Sequence, residues 1–341
     1  MYKNKNKKMP VIVAELSGNH NGSLNRAIEL MELAHECGAD AVKIQTYTED
    51  SLTLDSDRPE FKLEGGLWGG QTYYELYKKA KTPREWMKPL FNHAKAHGIF
   101  LFSSPFSYED VDCLEEAGCP VYKIASYELN DIGLIDYCAS KGKPMVMSTG
   151  LATLEEIDRA VDVVRKSGIE DLTLLHCESR YPADPEKFNL NSIPYLKERY
   201  QCRSGLSNHA IGDELDIAAT ALGADMIEKH FTDDKKNGGV DSAFSMEMND
   251  LIKLVKDCKM VAKSLGVKGI HLQEDEYPMR AGRRSIYLVQ DLKKGEILSK
   301  EHVRSVRPAL GLEPYLLNEV LGKKAKFDLK EKTPLKQDDF E

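Results

Sequence analysis

The feature that most constrains the fold is an alternation of short apolar runs with segments of helical periodicity, from Val11 to about Leu265. Each apolar run ends at small or polar residues, as strands bounded by loops do. The predicted strands cover residues 11–15, 41–45, 99–103, 121–124, 145–148, 172–176, 203–207 and 226–230. Eight strands, each followed by a helix over about 250 residues, predict an α/β fold, the closed (β/α)8 TIM barrel. An open doubly wound sheet is the alternative, because periodicity does not show closure.

Capping signals mark three of the intervening helices. The run from Thr82 to Glu85 predicts a capping box with Pro83 at the first helical position, and Gly98 stands just past the end of that helix. Two more helices are bracketed by Ser107 and Gly118 and by Thr153 and Gly168.

Composition excludes several classes of protein. The 341 residues include 47 Lys or Arg and 55 Asp or Glu, a net charge of -8, so we expect no nucleic-acid partner. The opening MYKNKNKK is basic, but the Glu and Asn within PVIVAELSGN come too early for a secretory signal. No apolar run approaches the length of a membrane span. The seven scattered cysteines, without a CxxC spacing, are typical of reduced thiols in a cytoplasmic enzyme.

Two regions interrupt the alternation. The stretch from Thr46 to Lys81, which contains GGLWGGQTYYELY, is too long for a simple connection and predicts a lid or a partner-contacting excursion. The polar QEDEYPMRAG precedes a basic tail with turn signals at residues 293–295 and at Gly311. We therefore expect a barrel domain over residues 1–275, a linker over 276–282 and a small domain over 283–341.

Polar residues gather at the predicted carboxyl ends of the strands, where barrel enzymes carry their chemistry. They are Glu15, Lys43, Gln45, Ser103, Ser104, Lys123, Ser126, Ser148, Thr149, His176, Ser179, Ser207, His209, Glu228, Lys229 and His230. Lys43 and Lys123, together with hydroxyls from four strands, could hold a dianionic phosphate. The alternative is that such lysines extend to solvent.

His209 and His230 end adjacent predicted strands, and two neutral imidazoles that face one cavity indicate a divalent metal site. Each could instead be a hydrogen-bonded core or rim residue. Glu15 and Asp241 could transfer protons or orient a carbonyl substrate, or serve as loop caps. His176 is interpreted as a structural residue, and His20 as a candidate to line the site.

Nine segments, in order, are VIVAELSGNHNG, AVKIQTYT, FSSPF, YKIAS, STGL, LLHCESRYP, GLSNH, IEKHFT and GGVDSAFSM. Together they resemble the sialic acid synthase family, whose members condense phosphoenolpyruvate with an amino sugar. The tail from RRSIYLVQDL onward resembles that family's antifreeze-protein-like domain, the SAF or β-clip fold. The excursion is similar to that of the branch that makes pseudaminic acid from 2,4-diacetamido-2,4,6-trideoxy-β-L-altropyranose.

The resemblance implies roles for particular residues. His209 and His230 would bind manganese or magnesium, and Glu15 would sit beside the reacting carbons. Phosphoenolpyruvate would be surrounded by Lys43, Ser104, Lys123, Ser126, Ser148, Ser179 and Ser207. The sugar would meet Gln45, Tyr181 and Asp241, and Arg307 would reach it from the partner in a domain-swapped homodimer.

Three positions depart from the family pattern: Glu178, Arg180 and Asn208. Because of these departures, the alternative functions within the family are synthesis of neuraminate, of legionaminate or of a spore-coat sugar. A different enzyme class is a Schiff-base aldolase that uses Lys123 or Lys43. A third interpretation takes the tail as an ice-binding or glycan-binding module.

Overall fold

The computed structural model describes residues 9–341, so the basic opening lies outside the described residues. The chain divides into two compact units, one up to Gly266 and one from Val267 to Glu341. The predicted boundaries, with a linker over residues 276–282, stay a prediction. Among the described residues, none of the helices combines the length and apolar character needed to cross a membrane.

The first unit is a closed barrel of eight parallel strands in sequence order, in which β8 pairs with β1. Closure confirms the barrel and excludes the open sheet. The strands are β1 Val11–Glu15, β2 Ala41–Thr46, β3 Leu101–Pro105, β4 Tyr122–Ile124, β5 Met145–Ser148, β6 Leu172–Cys177, β7 Arg203–Asn208 and β8 Met226–His230. At Gly205 an added Cβ would lie 2.0 Å from the Met226 carbonyl oxygen, so only glycine lets β7 approach β8 this closely.

Helices surround the barrel. They are α1 Leu24–Glu36, α2 Glu49–Leu52, α3 Tyr73–Ala80, α4 Met87–Ala96, α5 Tyr108–Ala117, α6 Ile132–Ser140, α7 Leu154–Lys166, α8 Ser192–Tyr200, α9 Glu214–Ala221 and α10 Met248–Ser264. Two of the predicted starts are confirmed: the Ser107 side chain accepts from Asp110 N–H, and Thr153 forms a capping box with Glu156. Gly118 ends α5 in the left-handed conformation, at φ 79°.

The capping box predicted at Thr82 is wrong. Arg84–Trp86 forms a short 3-10 helix whose preceding residue makes no side-chain cap, and α4 begins only at Met87. The buried Thr82 hydroxyl instead lies 3.2 Å from Nε2 of His20. The strand predicted from Ile99 also starts later, because Ile99 N–H donates to the carbonyl of Ala94 and completes the end of α4.

The second unit has its own small core. Strands β9 Ser285–Leu288 and β10 Val303–Val306 pair antiparallel, and a short helix, α11, covers Leu317–Val320. The hydrophobic core of this unit consists of the buried side chains of Ile286, Leu288, Leu292, Leu298, Val303, Val320, Ala325, Leu329, Leu335 and Phe340. The predicted turn at residues 293–295 is present, with Gly295 at φ 82°. A barrel followed by a small β-rich domain is the fold class that the sequence predicts.

Candidate active site

A buried cluster of alternating charge lies at the carboxyl ends of β1, β2 and β8. Lys43 Nζ is 2.7 Å from Oε2 of Glu15 and 3.5 Å from Oε1 of Glu228. These contacts follow from parallel register, which places Glu15 beside Lys43 and beside His230. Burial alone would lower the pKa of Lys43, but the two carboxylates raise it above its ordinary value. Lys43 therefore stays charged.

A pocket of lysine and serine side chains lies beside this cluster, at the ends of β4 to β6. Lys123 Nζ donates to Ser148 Oγ at 2.6 Å, and burial lowers its pKa although Glu228 opposes that shift. A Cβ added at Gly150 would come within 2.8 Å of Ser126 Oγ and would collide with Ser179 Oγ. Because glycine has no Cβ, the hydroxyls of Ser126 and Ser179 can converge at this point. Two converging hydroxyls could bind a small polar group such as phosphate.

The wall of this pocket is completed by β3 and β7. Ser207 Oγ donates to Glu228 Oε1 at 3.0 Å. Ser104 Oγ is fully buried and has no hydrogen-bond partner, as is also true of Glu228 Oε2. Buried polar atoms are nearly always paired, so these open positions point to a ligand that would occupy them.

Two imidazoles stand next to the charged cluster. The ring centroids of His209 and His230 are 5.3 Å apart, and Nδ1 of His209 donates to the carbonyl oxygen of Glu178 at 3.0 Å. Nδ1 of His230 is buried without a hydrogen-bond partner and lies 3.8 Å from Oδ2 of Asp241. Burial lowers the pKa of His230 well below its ordinary value, so that imidazole is neutral. The residues present fit a divalent ion with open positions for substrate.

Aromatic rings cover the imidazole pair. The Tyr181 ring lies 4.3 Å from that of His209, and the Phe244 ring lies 4.9 Å from that of His230. Gln45 Nε2 donates to Glu15 Oε1 at 3.1 Å, so its amide borders the same cavity. The Asp241 carboxylate accepts a hydrogen bond from the Ser17 hydroxyl. The barrel residues to which the resemblance assigns roles thus lie at one end of the barrel, where its strands end.

The neighbouring strand-end residues face the other way. Lys229 Nζ donates to the carbonyl oxygens of Ala210 and Gly212, at 2.6 and 2.8 Å. Asn208 donates to Oδ2 of Asp216 at 2.9 Å, so this departure from the family pattern is a structural contact on the outer side. The Ser103 hydroxyl donates to the carbonyl oxygen of Ile44 at 3.0 Å. Alternation along each strand separates these residues from the inward set.

Glu228 was listed at a strand end without a role, and Glu128 was not selected from the sequence. Glu228 lies between Lys43 and Ser207, and its spacing of two from His230 on one strand was the signal that placed it on the inward face. Glu128 follows β4, and its Oε2 is buried without a partner. Burial raises the pKa of Glu128 to about 7, while Lys123 acts in the opposite direction. The sequence carried no signal for its burial.

The other histidines have structural contacts. His176 Nε2 donates to the Phe188 carbonyl oxygen, as its structural interpretation requires. His20 is buried against Trp86, and burial lowers its pKa to about 4; its place at the site stays a prediction. Near the carboxyl ends of α1 and α4, at the opposite end of the barrel, one further group has metal-ligand geometry: Glu32, His93 and His97.

Arg307 lies in the second unit, just after β10. It is exposed and lines an open cavity of about 330 Å³ together with Tyr287, Val306 and Lys332. Its predicted role toward the sugar depends on a partner subunit and stays a prediction.

A closed (β/α)8 barrel with a buried lysine and serine pocket beside an imidazole pair defines an enzyme that acts on an anionic small molecule. The chain belongs to the NeuB family, whose model matches residues 30–269, and a SAF domain model matches residues 283–341. The resemblance seen in the sequence motifs is thereby confirmed.

Relatives match along nearly the whole chain. A pseudaminic acid synthase of Campylobacter jejuni is 44% identical over 330 residues, which cover 97% of this chain and 96% of that protein. One of Helicobacter pylori is 43% identical over 333 residues, 97% of this chain and 98% of that protein. The solved N-acetylneuraminic acid synthetase of Leptospira borgpetersenii, in complex with citrate, is 32% identical with a TM-score of 0.71, covering 80% of this chain and 90% of that one.

Proposed function

We propose that the protein is a pseudaminic acid synthase. It condenses phosphoenolpyruvate with 2,4-diacetamido-2,4,6-trideoxy-β-L-altropyranose and water, and it releases pseudaminic acid and phosphate. The observation that carries the proposal is the buried group of Lys43, Lys123 and serine hydroxyls next to the imidazole pair, in a chain that is 44% identical to a synthase of that name.

Phosphoenolpyruvate is proposed to lie in the lysine and serine pocket. Its phosphate would accept from Lys123 and from the hydroxyls of Ser126 and Ser179, which Gly150 allows to converge. Its carboxylate would face Lys43, with further donors from Ser104, Ser148 and Ser207. Two buried lysines favour a trianionic ligand because charge-assisted hydrogen bonds are stronger away from bulk water.

A divalent ion, manganese or magnesium, is proposed to bind His209 and His230. The unpaired Nδ1 of His230 and the neutrality of that ring support this assignment. The ion would act as a Lewis acid toward the aldehyde oxygen of the open-chain sugar. Asp241, held by Ser17, would orient a sugar hydroxyl, while Gln45 and Tyr181 border the same space.

The chemistry forms one carbon–carbon bond and breaks one carbon–oxygen bond. C3 of phosphoenolpyruvate attacks the aldehyde carbon, whose oxygen takes up a proton, and C2 becomes electron-deficient. Water adds to C2 and gives up a proton, for which Glu15 is the proposed acceptor, since burial raises its pKa while Lys43 opposes the shift. The tetrahedral carbon then expels phosphate and leaves the α-keto acid. Fixing both substrates in register supplies much of the rate, up to roughly 7–11 kcal/mol.

Phosphate release with a panel of sugars tests the proposal. The 2,4-diacetamido-2,4,6-trideoxy sugar should support turnover far better than N-acetylmannosamine or the precursors of legionaminate and spore-coat sugars. Activity should disappear on chelation and return with Mn²⁺. Full activity of His209→Ala or His230→Ala in the presence of chelator would contradict the metal assignment.

The Schiff-base alternative is distinguished by borohydride. The lowered pKa of Lys123 is the observation in its favour, because a neutral amine is the nucleophile. A synthase forms no imine, so we expect no covalent adduct with either substrate after reduction. A trapped adduct on Lys123 would replace the proposed mechanism.

Arg307 is proposed to act across a homodimer, where its planar donors would clamp sugar oxygens of the neighbouring site. Mixing inactive His209→Ala subunits with inactive Arg307→Ala subunits tests this. Random reassortment makes half of the dimers mixed, each with one intact site, so about a quarter of wild-type activity should return. If Arg307 acts within its own chain, mixing restores nothing.

A further inference from the structure

Trp68 stands at the tip of a glycine-rich turn between β2 and α3, and the proposed reaction does not account for it. Pairing of Lys62 with Thr72 closes the turn. Three glycines in it have positive φ angles, from 70° to 88°: Gly65, Gly66 and Gly70. Among residues 64–70, all except Trp68 are exposed. Glycine tolerates such backbone angles, so the turn is shaped to direct one indole inward.

The Trp68 indole lies over the site. Its only polar atom, Nε1, already has a hydrogen-bond partner. Nε1 of Trp68 donates to the Val240 carbonyl oxygen at 2.9 Å, immediately before Asp241. The Trp68 ring lies 5.5 Å from that of Tyr181 and 6.5 Å from that of Phe244. Trp68 thereby ties the excursion after β2 to the loops that follow β6 and β8.

The aromatic rings form layers above the imidazole pair. Tyr181 and Phe244 contact the imidazoles directly, whereas the Trp68 ring contacts Tyr181 and Phe244. The proposed function puts the aldehyde carbon, C1 of the sugar, at the imidazoles. On that placement the opposite end of the open chain, C6, would extend toward Trp68. In the proposed substrate C6 is a methyl group.

We infer that Trp68 contacts this methyl group and makes the enzyme select 6-deoxy sugars over their 6-hydroxy counterparts, an inference that rests on the proposed function. A 6-hydroxyl against the ring would lose water without gaining a partner, because the indole N–H is held by Val240. An apolar wall rejects an added hydroxyl by no more than about a hundredfold. We therefore expect a preference of roughly tenfold to a hundredfold in kcat/KM.

The first test compares the 2,4-diacetamido-2,4,6-trideoxy sugar with its 6-hydroxy analogue. Trp68→Ala should reduce the preference to within about threefold of unity, while the KM for phosphoenolpyruvate stays at the wild-type value. The matched control is Trp86→Phe, because that indole packs against His20, at 5.4 Å between ring centroids, whereas Trp68 packs against Tyr181 and Phe244. It should keep the wild-type preference. An unchanged preference in Trp68→Ala would overturn the inference.

The second test measures binding without turnover. The chain has two tryptophans, so Trp86→Phe leaves Trp68 as the single indole reporter. In the presence of phosphoenolpyruvate, the unreactive alditol of the 6-deoxy sugar should change Trp68 emission at a lower concentration than the 6-hydroxy alditol does. Equal half-saturating concentrations, or no response to either, would overturn the inference. Failure of the wild-type enzyme to release phosphate with any of these sugars would instead overturn the proposed function.

Discussion

Lys43 and Lys229 are both buried cations at the carboxyl end of the barrel, yet they are held in opposite ways. Lys43 lies between two carboxylates in a cluster where Glu228 Oε2 and Ser104 Oγ have no partners. Lys229 ends on two backbone carbonyl oxygens, with Asp216 at 3.4 Å. Burial and charge are therefore common to a site and to a structural anchor. They differ in the groups that the ammonium meets, two carboxylates at Lys43 and chiefly backbone carbonyl oxygens at Lys229, since Asp216 Oδ1 is unpartnered as well.

The largest effect is expected from Lys123→Met, on the inward side. The variant should lose about a thousandfold or more in kcat/KM for phosphoenolpyruvate, because removal of one partner of a buried charge pair costs about 2–5 kcal/mol. Burial already lowers the pKa of Lys123, so its loss should leave the free energy of unfolding unchanged or slightly raised. Steady-state phosphate release and urea unfolding measure both. If the variant binds phosphoenolpyruvate with wild-type affinity, Lys123 does not contact this substrate.

The converse is expected from Lys229→Met, on the outward side. The substitution leaves Asp216 buried beside Asn208 without its cation, which should lower the free energy of unfolding by about 3 kcal/mol. The folded enzyme should keep kcat/KM within about threefold of wild type, because Lys229 Nζ is held by the carbonyl oxygens of Ala210 and Gly212 and by Asp216. Thermal unfolding and phosphate release on the same sample separate the two effects. If Lys229→Met loses activity without losing stability, Lys229 is not a structural residue and the distinction between the two lysines is wrong.

The Glu128 carboxyl should make the stability of the protein depend on pH. Its ordinary pKa of 4.5 is raised to about 7 in the folded chain, so it favours folding below pH 4.5 and this contribution is lost as the pH rises through 7. Glu128→Gln, neutral at every pH, should match wild type near pH 4.5 and exceed it by about 2–3 kcal/mol at pH 8, in the absence of ligands. Urea unfolding at the two pH values checks this. A pH-independent difference would show that the Glu128 carboxyl is not buried.

The smallest effect is expected from Gly150→Ala. The added methyl group would displace the Ser179 and Ser126 hydroxyls, so the KM for phosphoenolpyruvate should rise about tenfold, which equals about 1.4 kcal/mol. Apparent affinity for the sugar should not change. Gly118→Ala, at a helix end with φ 79°, is a control that affects stability only. A larger effect on the sugar than on phosphoenolpyruvate would place the phosphate elsewhere.

The barrel was predictable because buried parallel strands are nearly continuous apolar runs, and β1, β5 and β8 have the predicted bounds. Alternation puts Ser103 and Ser104 on opposite faces of their strand, but the sequence alone does not say which of the two points inward. Thr82 failed as a cap because a tertiary contact with His20 competed for its hydroxyl. The position of Trp68 depends on a hydrogen bond to a residue 172 positions away, which local patterns do not encode.

The depth of the lysine and serine pocket has a kinetic consequence. Lys123 and Ser148 are 1% and 2% exposed, whereas Tyr181 and Trp68 are only partly buried, nearer the loops. On the proposed assignment, a sugar in place would cover the route to the deeper pocket. Addition is then compulsorily ordered, with phosphoenolpyruvate first, and phosphate departs only after the nine-carbon product has left.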